Sequence, residues 1–108
     1  MTTRTLIVAR LEPGSAPDVA RLFGASDRTE LPRVLGVRSR RLYSYHDLYF
    51  HQVEFDGDAG EALRLAQGRP DFTALSAELA RFVRPYDPVT WRGPADAVAG
   101  EFYNWYRP

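Results

Sequence analysis

The sequence predicts one α+β domain spanning residues 1–108, in the order β-α-β-β-α-β, with an antiparallel sheet. Three observations predict it. "RTLIVARL", residues 4–11, is an aliphatic, β-branched run followed at once by a stretch with helical spacing. "VRSRRLYSY" (37–45) and "LYFHQVEF" (48–55) flank His46 and Asp47 as two strands flank a hairpin turn. A second helical stripe in residues 70–83 then leads to an alternating aromatic tail.

Each element has a local reason. "EPG" ends the first strand, and Ser15 stands as an N-cap with Pro17 in the first turn and Asp18 at the third position. The helix should run from Ala16 to Ala25 or Ser26. Val19, Leu22 and Phe23 form its apolar stripe, whose next position is Ser26, so the helix end aims Ser26 at the core with Asp27 beside it. "RTELPRVLG", residues 28–36, predicts irregular structure, because Pro32 lacks an amide hydrogen and Gly36 loosens the backbone. The hairpin follows, and "DGDAG" breaks the sheet. Two helical pieces come next, Gly60 to Gln67 and Pro70 to Val83. The second has Phe72, Leu75, Leu79 and Phe82 at helical spacing, with Ser76 and Glu78 outside the stripe. "RPYDP" stops it, and "GEFYNWY", residues 100–106, predicts the last strand. This order is the split βαβ of a ferredoxin-like fold. Its two helices cover one face of the sheet only. Apolar strand residues make a bare second face unfavourable, and a homodimer of the dimeric α/β-barrel type is the simple cover.

Composition narrows the function classes. A chain of 108 residues buries roughly two thirds of its unfolded surface and needs no metal or disulfide to fold. The 14 basic and 14 acidic residues balance to zero net charge, which leaves no electrostatic footprint for nucleic acid or an anionic membrane. All the basic residues are arginine, with one local cluster in "RSRR", residues 38–41. The absence of cysteine excludes disulfides and thiolate metal sites and suits a reducing cytoplasm. The apolar run near the start is too short for a signal peptide or membrane span. Two histidines five residues apart, with no converging acids, make no metal site. No phosphate cradle or nucleophile elbow is present.

The chemistry-bearing residues lie on the hairpin. Alternation puts Tyr49, His51, Val53 and Phe55 on one face, so an imidazole sits on what should be the buried side. With a two-residue turn, Leu42 pairs with His51 and Arg40 with Val53. Arg40 and His51 are then diagonal neighbours, their Cβ atoms roughly 7 Å apart. A turn one residue longer puts Arg41 and Tyr43 beside His51 instead, and "HD" does not decide between the two. On a helix-covered face, the end of the first helix would bring Asp27 and Ser26 close. A base, a fixed cation and a carboxylate in an apolar pocket suit chemistry on enolisable ketones. An imidazole of normal pKa can take and return a proton at pH 7. A guanidinium holds developing charge on an enolate oxygen. Each residue also has a plain structural role open to it. A strand histidine can be a satisfied core residue, Arg40 can cover a solvated edge, and Asp27 can cap the turn after the helix. His46 falls at the turn, on the surface.

The stretches "TELP", "GVRSR", "HDLYFH", "RPDF", "PYDP" and "EFYNWY" together resemble the small aromatic polyketide cyclases of bacterial type II polyketide pathways, the tetracenomycin F2 cyclase group. The resemblance runs over nearly the whole chain, and its most specific part is the spacing of "TELP…GVR.R…HDLY.H". It implies a ferredoxin-like dimer with a pocket between helices and sheet. It implies aldol-type ring closure of a poly-β-ketone with loss of water and no cofactor. It assigns the acid/base constellation to Asp27, Arg40 and His51; Phe23, Ser26 and Tyr49, placed on the same side by the strand and helix patterns, are the candidate substrate contacts. The family has a histidine where this chain has Ser26, and a serine carries no proton near neutral pH. The expected partners are an aromatic polyketide intermediate, a second copy, and transiently the synthase components, for which Arg38, Arg40 and Arg41 offer a local patch. Two other activities remain open at this point: a cofactor-free monooxygenase of aromatic polyketides, and a non-catalytic polyketide-binding protein. A dimeric structural module is the blandest reading.

Overall fold

The computed structural model describes residues 2–108. Strand β1 (Thr3–Leu11) leads into α1 (Ala16–Ser26) and a short α2 (Leu31–Leu35). The hairpin β2 (Val37–Tyr45) and β3 (Leu48–Phe55) follows, then α3 (Ala59–Gln67), α4 (Pro70–Leu79) and β4 (Val83–Pro85). One turn of 3₁₀ helix, Pro94–Ala97, precedes the tail. The sheet order is β2-β3-β1-β4, all antiparallel, which is the ferredoxin-like arrangement.

The hairpin has the two-residue turn. His46 takes a positive φ of 54°, and Leu42 faces His51 while Arg40 faces Val53. An irregularity between Val37 and Ser39 leaves Arg38 out of the ladder. β3 alternates strictly, with Tyr49, His51, Val53 and Phe55 buried against the helices. Its other residues lie on the opposite face, where Val8, Phe50 and Tyr43 form an apolar row across three strands. Among the described residues no helix covers that row, and Tyr43 is 53% exposed.

Four expectations fail, each for a local reason. Ser15 occupies the N-cap position, but its hydroxyl donates back to the Glu12 carbonyl at 2.6 Å and caps no helix amide. The segment expected to be irregular contains α2. Pro32 sits in its first turn, where a missing amide hydrogen costs nothing, and Gly36 closes it at φ 74°. α4 ends at Leu79 rather than Val83, because Phe82 and Val83 are drawn into pairing with β1. Phe82 accepts from the Glu12 amide at 2.8 Å, and Val83 faces Leu11. The last strand is therefore Val83–Pro85 and not residues 100–106. The returning chain touches the sheet earlier, where Val98 bridges Ile7 and the Ala99 amide donates to Leu6 at 2.7 Å. Beyond it Phe102, Tyr103, Trp105 and Tyr106 are largely exposed.

α3 begins one residue before the expected Gly60. Asp58 caps it by accepting from the Glu61 amide at 2.9 Å. No helix among the described residues is long and apolar enough to cross a membrane.

Candidate active site

The C-terminal end of α1, the middle of β2 and the middle of β3 converge under the helices. Ser26 and Asp27 fall there because the stripe through Val19 and Phe23 turns the last helical turn toward the sheet. Arg40 comes up from β2 beside Val53, one row from His51. Its guanidinium makes a two-pronged contact with Asp27, Nε to Oδ2 at 3.1 Å and Nη2 to Oδ1 at 2.9 Å. The remaining edge reaches His51, with Nη1 at 3.0 Å from Nε2. The plane is held from above by Phe23, whose ring lies 4.6 Å from the Arg40 Cζ and 4.9 Å from the imidazole centroid. Arg40 is thus fixed by three side chains and is largely buried, while its partner Asp27 is partly exposed.

Arginine has no acceptor atom, so the Arg40 Nη1 hydrogen must be donated to a lone pair on His51 Nε2. The neutral ring then carries its hydrogen on Nδ1. His51 is 7% exposed, and burial followed by the charge of Arg40 lowers its pKa to about 3. The expectation of an imidazole of normal pKa is thereby corrected. The ring is neutral throughout the physiological range, and its basic nitrogen is already occupied. Tyr49 is also buried. Loss of solvation raises its phenol well above the ordinary value and outweighs the opposing charge of Arg40, so it stays protonated.

These groups edge a cavity of about 240 Å³. The sheet supplies its floor through Thr5, Ile7, Tyr49, His51 and Val53, and α1 supplies Phe23 and Ser26. An engineered apolar cavity of roughly 150 Å³ accepts benzene, so this space takes a flat ligand larger than one ring. Its walls are mostly apolar, and Arg40 and His51 bring the charged and imidazole groups to it.

Asp27, Arg40 and His51 are brought into direct contact through the arginine, and Phe23, Ser26 and Tyr49 all line the same cavity. The expected patch of Arg38, Arg40 and Arg41 does not form. Arg38 lies near Glu54 and Asp56, Arg40 turns into the cavity, and alternation sends Arg41 to the other face. Sequence reasoning missed the wall made by Leu31, Pro32 and Leu35 of α2. The pairing of an early proline with a closing glycine was its legible signal. Ser76 of α4, placed off the stripe, also lines the cavity. No cluster of three potential metal ligands occurs among the described residues.

The sequence model of the family described as "Polyketide synthesis cyclase" matches residues 3–106. An uncharacterized protein of Streptomyces coelicolor is 47% identical over 104 residues, covering 95% of this chain and 94% of the relative. The polyketide synthase CurG of Streptomyces cyaneus is 42% identical, covering 94% and 95%. Tetracenomycin F2 cyclase of Streptomyces glaucescens is 39% identical over 108 residues, covering 100% of this chain and 98% of the relative. The solved structure of that cyclase, described as a type-II polyketide cyclase, superposes with a TM-score of 0.90 over 98% of this chain and 99% of its own. A monooxygenase-like protein of antibiotic biosynthesis from Chloroflexus aurantiacus is 14% identical with a TM-score of 0.58 over 87% of this chain and 99% of its own, a likeness of fold alone.

Proposed function

The chain belongs to the polyketide synthesis cyclase family of type II polyketide biosynthesis, and from that premise we propose that it closes a ring of a cytoplasmic poly-β-ketone by aldol condensation and dehydration, without a cofactor. The observation that carries this reading is the Arg40 guanidinium, held by Asp27 and bonded to His51 at the edge of an apolar cavity.

The substrate lies flat in the cavity with a carbonyl oxygen at Arg40. As that oxygen takes the Nη1 hydrogen, the lone pair on His51 Nε2 is released. A base with a pKa of about 3 is weak in the empty site. Burial and then the charge of Arg40 suppress it, and the enolate oxygen that forms at Arg40 as the proton moves offsets that charge and stabilises the imidazolium. His51 then removes a proton from a methylene between two carbonyls, and Arg40 stabilises the enolate. The carbanion attacks a second carbonyl, a carbon–carbon bond forms, and the new alkoxide takes the proton from the imidazolium. His51 removes the second proton from the former methylene and delivers it to the departing hydroxyl, which leaves as water as the C–O bond breaks, and aromatisation drives the sequence forward.

Asp27 acts here by positioning Arg40, since both of its oxygens are engaged by the guanidinium. Ser26 contributes a hydroxyl to the wall where the family resemblance implies a histidine, which leaves His51 as the base. Holding one conformation of a reactive chain supplies a further share through orientation and exclusion of other rings.

The working unit is a homodimer. The uncovered row of Val8, Phe50 and Tyr43 and the exposed Phe102 and Trp105 are apolar surface on a small domain, and a second copy is the occupant that covers them symmetrically.

The test is reconstitution with an early polyketide mixture from a minimal synthase and its first cyclase, read by product profile under air and under argon. One new ring pattern in both atmospheres, lost in His51→Ala, is the expected result. A change seen only under air would make the protein a monooxygenase. Tight product binding with no change of profile would make it a binding protein.

A further inference from the structure

We infer that the Tyr49 hydroxyl is a second substrate-holding donor, which binds a substrate oxygen other than the one held by Arg40. The inference rests on the cyclase reading and deepens it, because it specifies what the substrate must carry.

The strand places the residue. Tyr49 precedes His51 by two positions on the same face of β3, and Val53, which faces Arg40, follows His51 by two. The floor therefore runs along β3 from Val53 through His51 to Tyr49, and the Arg40 guanidinium reaches back over it to His51. The ring is fixed in a cluster with Ala9, Leu11, Val19 and Phe23, and it stands edge-on to the imidazole at 6.1 Å.

The hydroxyl is the unexplained atom. Tyr49 is 5% exposed and lines the cavity, yet its phenol has no hydrogen-bond partner among the described residues. No side-chain polar atom among them is sealed away without a partner, so the hydroxyl is not fully enclosed, and its residue lines the cavity. Buried phenols ordinarily find a partner, and phenylalanine would fill this apolar cluster without that requirement. Burial also keeps the group protonated, so it donates to an oxygen and does not compete with His51 for a proton. Arg40 and the phenol together recognise a flat aromatic that carries two separate oxygens.

Tyr49→Phe removes the hydroxyl alone and keeps the packing. The probes are 2,6-dihydroxyanthraquinone, with an oxygen at each end, and 2-hydroxyanthraquinone, with one, titrated calorimetrically. Wild type should prefer the dihydroxy compound by about three- to tenfold, and Tyr49→Phe should bind both equally. With polyketide substrate the variant should raise KM by a similar factor and leave kcat nearly unchanged, whereas His51→Ala lowers kcat. Equal affinity of wild type for the two probes, no binding of either, or a preference that survives in Tyr49→Phe overturns the inference. The cyclase reading is judged separately by ring formation in the reconstituted mixture, so a working cyclase with no Tyr49-dependent preference sinks this inference alone.

Discussion

Because His51 is buried as a neutral ring, acid should destabilise the fold within a window that this residue defines. Unfolded, the imidazole titrates near 6.5, and folded it titrates near 3. Between those values the unfolded chain holds a proton that the folded protein does not, so the free energy of unfolding rises with pH there. The contribution is complete above pH 6.5 and is lost as pH falls from 6.5 to 3. Across the whole window it amounts to about 5 kcal/mol, at 1.36 kcal/mol for each pKa unit, and by pH 4 about 3 kcal/mol should be gone. His51→Gln is the matching control, since its amide oxygen can accept from Arg40 and its side chain does not titrate. Urea unfolding of both proteins at pH 7, 6, 5 and 4 measures the effect as a difference, which removes the carboxylates common to both. Wild type should lose stability relative to His51→Gln below pH 6.5. Parallel loss in the two proteins would refute the buried neutral imidazole. The same state predicts no break near pH 6.5 in kcat/KM, which reports groups of the free enzyme.

Asp27→Asn should change stability by no more than about 1 kcal/mol, because the Asp27 side chain is 38% exposed. It should lower kcat several-fold through a less constrained Arg40, and a KM increase alone would contradict the positioning role. Gly24→Ala in α1 should raise stability by about 0.5–1 kcal/mol, since a Cβ there meets nothing within 4 Å. Gly36→Ala should lower it by roughly 1–2 kcal/mol, because φ is +74°; thermal melts of the two variants should move in opposite directions. Val8→Asp places a charge at the β1 end of the apolar row, and sedimentation should show a dimer become a folded monomer. An unchanged oligomeric state would remove that face as the interface.

Local sequence determined β1, α1 and the hairpin, because each carries its own periodicity and a clear break. The alternation of Tyr49, His51, Val53 and Phe55 determined which face of β3 is buried, since a pleated strand has no other way to place them. It narrowed the hairpin to two registers, and the positive φ at His46 selected the one that sets Arg40 diagonal to His51. The candidate site was thus named from residues on three elements. What needed the tertiary structure was competition between elements for the same chain. Val83 fits a helical stripe as well as a strand, and only the open edge of β1 chose the strand. Once that edge was taken by Val83–Pro85, Val98 and Ala99, the aromatic tail was left outside the ladder of the sheet. The protonation state of His51 was likewise beyond the sequence. It depends on how completely Phe23, Tyr49 and the helices exclude water, and on which arginine edge meets Nε2, and both are properties of packing in three dimensions.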